Sequence, residues 1–79
     1  MDSVAILSHL RPGDRVVIDG IEADESVRRR LHAMGLLRGR QAQLIRRARF
    51  GGPLQIRVGS VDLILRRRDA DSVHVTPLL

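Results

Sequence analysis

Three clusters of arginine carry the only concentrated chemistry in this chain: Arg28 to Arg30, Arg46 to Arg49 interrupted by Ala48, and Arg66 to Arg68. All fourteen basic residues are arginine, and the formal net charge is +5. A guanidinium is always charged and offers forked donors to carboxylates and phosphates. Such a surface favours an anionic partner: nucleic acid, the inner face of a membrane, or an acidic protein patch.

Catalytic chemistry is poorly provided for. His9, His32 and His74 are scattered, no G-x-S-x-G or Walker sequence occurs, and Gly51 and Gly52 lack the following Lys and Ser/Thr that would cradle a nucleotide. The chain reads as a non-enzyme. There is no cysteine, which removes disulfides, thiolate metal sites, iron–sulfur clusters and cysteine nucleophiles. No H-x-x-x-H or E-x-x-H stands on a helix either, so a closed metal site of ordinary spacing cannot be drawn and no cofactor is expected. His74 with Asp71, or His9 with Asp2, are weak surface candidates for a divalent ion such as zinc or iron.

Nucleic-acid binding is the rival reading. Arginines supply phosphate contacts, but single-strand recognition adds aromatic stacking platforms, and Phe50 is the only aromatic residue. Nucleic acid is therefore the less favoured partner. The absence of Trp and Tyr also removes the aromatic groove that grips proline-rich peptides.

The elements that must position the arginines are short. Asp24 can cap a helix whose Val27, Leu31 and Met34 share one face, with Arg28, Arg29 and His32 opposite and Gly35 as the stop. This predicts a helix over about residues 25–34, too short to stand without a sheet beneath it. Arg15 to Ile21 reads as a strand with a bend or bulge at Asp19 and Gly20. Gln41 to Arg47 alternates as a second strand. Leu54, Ile56 and Val58, then Val61, Leu63 and Leu65, form the inward set of a hairpin turning at Gly59 and Ser60. The paired glycines at 51 and 52 invite positive φ angles. Arg66 to Asp71 reads as a charged turn, and Ser72 to Thr76 as the last strand.

Seventy-nine residues make one domain, residues 1–79. The hydrophobic fraction of 43% supports a packed core. About five short strands and one inserted helix predict a mainly β fold, a small antiparallel barrel. No apolar run is long enough to span a bilayer and no signal-peptide pattern opens the chain, so it reads as soluble and cytoplasmic.

The string LRPGDRVVI, then RRRLHAMGLLRGR, a basic strand with FGGPLQIRVG, and LILRRRDADSVHV resemble the FeoA family, ferrous iron transport protein A, along almost the whole chain. The most specific piece is Arg30, Leu31, Met34, Gly35, Leu36 and Gly39, in R-L-x-x-M/L-G-L-x-x-G. Similar cores occur in iron-dependent repressors of the diphtheria toxin repressor type. The resemblance implies an SH3-like barrel, and an accessory or regulatory role with the membrane ferrous iron transporter FeoB, whose cytoplasmic part is a G protein. It would place the chain at the inner face of the membrane through that partner, and a homodimer is compatible with it. The chain departs from the family pattern at Arg49, where proline usually precedes the loop's apolar residue, and at Gly52, where an acidic residue is frequent. The expected contact residues are Arg28, Arg29 and His32 on the helix, Leu36, Leu37 and Arg38 in the following turn, and Arg49, Phe50, Gly51 and Gly52 in the loop.

Overall fold

The computed structural model describes residues 4–78. Six antiparallel strands form one sheet: β1 (Ala5–Ile6), β2 (Arg15–Ile21), β3 (Gln41–Arg47), β4 (Leu54–Val58), β5 (Val61–Leu65) and β6 (Val73–Pro77), in the order β1-β6-β2-β3-β4-β5. Two helices are inserted, α1 (Glu25–Ala33) between β2 and β3, and the single-turn α2 (Arg67–Ala70) between β5 and β6. The segment expected to be a charged turn is thus partly helical. Ala70, its small apolar residue, is fully buried, and that burial anchors the turn.

The alternation of side chains decides which face of each strand is covered. Val16 and Ile18, Ala42 and Leu44, Leu54, Ile56 and Val58, and Val73 and Val75 all lie buried. Val61 departs from the expected inward set: it is 56% exposed at the hairpin mouth, Leu63 is half-buried, and only Leu65 reaches the core. Burial therefore deepens along β5 away from the Gly59–Ser60 connection.

Two bulges curl the sheet. The β2–β6 register shifts between Ile18 and Gly20, where the Asp-Gly pair predicts it, and the β3–β4 register shifts between Leu44 and Arg46. Ahead of β2, Arg11 to Asp14 makes a turn with Gly13 at φ +95°, and the Asp14 carboxylate accepts from the Arg11 amide at 2.8 Å. No ladder joins β1 to β5 among the described residues. One side chain ties the N-terminal segment to β3: the Arg47 guanidinium at the end of β3 donates to the carbonyls of Ser8 and Leu10, at 2.5 and 2.8 Å, in the 3-10 turn (Leu7–His9) and just after it.

Candidate functional site

The helix forms for local reasons that the sequence spells out. The Asp24 carboxylate accepts from the Val27 amide at 3.0 Å and from the Ser26 hydroxyl at 2.9 Å. The bond from the Val27 amide, followed by that from the Ser26 hydroxyl, holds the Asp24 pKa below the ordinary carboxylate range. Leu31 is fully buried, with Val27 and Met34 packed half-buried against the core.

The helix ends in a double bond pattern. The Gly35 amide donates to the His32 carbonyl at 3.0 Å and the Leu36 amide to the Leu31 carbonyl at 3.1 Å, with Gly35 at φ +104°. This is the Schellman arrangement, which brings the residue after the glycine against the last helical turn. Leu36 is accordingly 0% exposed, like Leu31, and belongs to the core; it cannot be a contact residue as expected from sequence. The signal was legible, since an apolar residue directly after a helix-ending glycine is what this motif buries. Leu37, one position on, is 41% exposed.

Arg28, Arg29 and His32 lie on the exposed side of α1. Arg28 and Arg29 are not independent cations: both pair with Glu25, Arg29 through Nε at 3.3 Å and Arg28 through its terminal nitrogen. One carboxylate against two guanidinium groups leaves this face net positive. Arg30 is turned the other way. It pairs with Asp69 on α2 at 2.8 Å, and the Asp69 side chain is only 12% exposed, so this arginine ties the two helices together. Sequence reasoning placed Arg30 in a motif without seeing that role, because its partner lies 39 residues away.

The β3–β4 loop gives a different surface. Positive φ falls on Phe50 (+60°) and Gly51 (+72°), not on the two glycines as expected. Gly52 is needed for space instead: a Cβ there would lie 2.8 Å from the Ala48 Cβ. Phe50 is 101% exposed, and Arg49 and Gly51 are exposed beside it. The Leu37–Arg40 turn precedes β3 and this loop follows it, so the two lie at opposite ends of a seven-residue strand, about 20 Å apart. The expected contact residues do not form one patch around a single point.

His74 and its expected partner Asp71 are each bonded to other residues. His74 Nε2 lies 2.8 Å from Glu22 Oε1, whereas Asp71 accepts from the buried Ser8 hydroxyl. His9 is exposed, and Asp2 lies outside the described residues. No cluster of three or more His, Asp or Glu suited to a metal occurs among the described residues. No helix there is long and apolar enough to cross a membrane.

A curled antiparallel sheet of six strands with a helix packed on it defines an SH3-like domain. The FeoA domain model matches residues 6–77, and the chain belongs to the FeoA family. No curated protein matches it. Among solved structures, an iron uptake regulatory protein (FeoA) is 32% identical over 96% of this chain and 100% of that one, with a TM-score of 0.89. The zinc complex of Stenotrophomonas maltophilia FeoA is 27% identical over 90% of this chain and 88% of its own, with a TM-score of 0.77. It is described as a prokaryotic SH3 domain protein possibly acting as a ferrous iron transport activating factor. A manganese-dependent transcriptional repressor shares the fold at 22% identity and a TM-score of 0.90, this chain covering 44% of it. The family is a non-catalytic accessory domain family implicated in ferrous iron transport.

Proposed function

We propose that this protein is a non-enzymatic cytoplasmic accessory module of ferrous iron uptake that docks on the G-protein region of the membrane transporter FeoB. The observation that carries the reading is the outer face of α1. Arg28 and Arg29 stand exposed and share one carboxylate, Glu25, with His32 exposed on the same helix and the exposed Leu37 and Arg38 following it. A net-positive face beside a small apolar anchor suits an acidic patch with a shallow apolar recess. The reading requires no bound cofactor, and the chain's part in it is recognition.

The experiment is a titration of the isolated cytoplasmic domain of the transporter with the protein. Charge reversal at Arg28 and Arg29 would crowd Glu25 with two further carboxylates and weaken the helix itself. Arg28→Gln with Arg29→Gln avoids this. The double variant is expected to weaken binding by about tenfold with an unchanged melting temperature, as for rim charges that steer association. Binding equal to that of the unmodified protein would remove α1 from the interface.

A further inference from the structure

We propose that the corner built by the β3–β4 loop docks on an anionic lipid surface, with Phe50 entering the headgroup layer and Arg46, Arg49 and Arg67 holding lipid phosphates. The chain's single aromatic ring is fully exposed at the tip of this loop, on a residue whose φ of +60° is unfavourable for a bulky side chain. The backbone there is accounted for by the hairpin, since positive φ at Phe50 and Gly51 lets the Gly52 amide close the turn on the Arg49 carbonyl at 3.2 Å; the exposure of the ring serves no packing and points outward to a ligand. The segment from Arg46 to Pro53 contains no carboxylate. Among the described residues, Arg46, Arg49 and Arg67 have no ion-pair partner, whereas Arg28, Arg29, Arg30 and Arg57 do.

These cations belong to the loop and to the segments beside it. Arg67 of α2 comes so close that a Cβ on Gly51 would lie 3.2 Å from its guanidinium. Arg46 lines a shallow groove beside the loop with Ala48, Pro53 and Ile64, and Ile64 is 66% exposed on the outer face of β5. The corner therefore offers an apolar tip, an apolar shoulder and unpaired positive charge. Aromatic rings settle at the membrane interface, and each basic residue near an anionic leaflet adds roughly fivefold to binding. Nucleic acid fits less well, because strand recognition uses successive stacking platforms and has no use for the Pro53–Ile64 shoulder. The Phe50 tip stands at the opposite end of β3 from the Leu37–Arg40 turn of the protein-docking face. The inference thus goes beyond the transporter reading and does not depend on it.

The test uses the full chain and vesicles of phosphatidylcholine alone or mixed with phosphatidylglycerol, with no transporter present. Phe50→Trp gives the chain its only tryptophan, whose emission is expected to shift to the blue with anionic vesicles and not with neutral ones. In flotation, Phe50→Asp is expected to reduce the vesicle-bound fraction by roughly tenfold, and added salt to weaken binding of the unmodified protein. Arg28→Gln with Arg29→Gln should leave vesicle binding unchanged. No binding to anionic vesicles, equal binding by Phe50→Asp, or dependence on Arg28 and Arg29 would each overturn the proposal. Sub-micromolar binding of short duplex DNA at physiological salt, abolished by Phe50→Asp, would assign the corner to nucleic acid instead.

Discussion

Phe50 and Leu36 show how one position can reverse the meaning of a residue type. Phe50, the residue a burial scale would send inside, is the most exposed large apolar side chain among the described residues, and Leu36, in a glycine-flanked turn, is sealed. Replacing Phe50 by glycine removes the positive-φ penalty, and we expect a stability gain of about 1 kcal/mol in denaturant unfolding, despite the loss of the ring. Leu36→Ala should cost about 3 kcal/mol and Leu37→Ala less than about 1 kcal/mol, a contrast that the same unfolding curves would report. Asp24 makes a pH-dependent contribution of defined sign. Its pKa is lowered in the folded state, so its stabilisation is complete above the ordinary carboxylate pKa of about 4 and is lost as pH falls through the lower folded value. Asp62, lowered by its bonds to Arg57 and Gln55, acts in the same direction. Asp24→Asn retains a capping oxygen and should flatten the acid limb of a plot of melting temperature against pH.

At the scale of the element, the sequence was legible wherever an apolar pattern repeats within a few residues. The alternation in Leu54, Ile56 and Val58 and the helical spacing of Val27, Leu31 and Met34 located β4 and α1 because each side chain's fate depends on its near neighbours. The FeoA-like motif and the SH3-like fold it implied were borne out as well. What escaped was set by distant partners. The turn at Arg67–Ala70 becomes helical where Ala70 packs inward and Asp69 meets Arg30, and no local pattern announces either contact. Val61 shows the opposite failure: its alternation is correct, but the hairpin mouth has no core to fill. For the candidate surface, the exposure of Arg28, Arg29 and His32 was legible from the helical face. The separation of the Leu37–Arg38 turn from the Phe50 loop required the sheet.

For the molecule as a whole, Arg47 has the most far-reaching position. Sequence counts it among the basic residues at the end of a strand, whereas the structure spends it on two carbonyls that bind the N-terminal segment to β3. Arg47→Met should lower stability by about 2 kcal/mol, the range for hydrogen bonds to a charged group. It should also raise amide exchange selectively in β1 and the following 3-10 turn, which a global loss of packing would not do. The positive charge is likewise distributed rather than pooled: some arginines hold helices or carbonyls, and others stand free. The pairing of β1 with β6, Ala5 opposite Val75 and Ile6 opposite His74, has a consequence for how the protein is made. Synthesis runs from the N-terminus, so β1 must wait for the four strands between them to be translated before its partner β6 exists, and β2 must wait as long for its second neighbour. During synthesis α1 and the β2–β3–β4–β5 meander can assemble before β6 exists, and the sheet is completed only when β6 arrives to join β1 to β2.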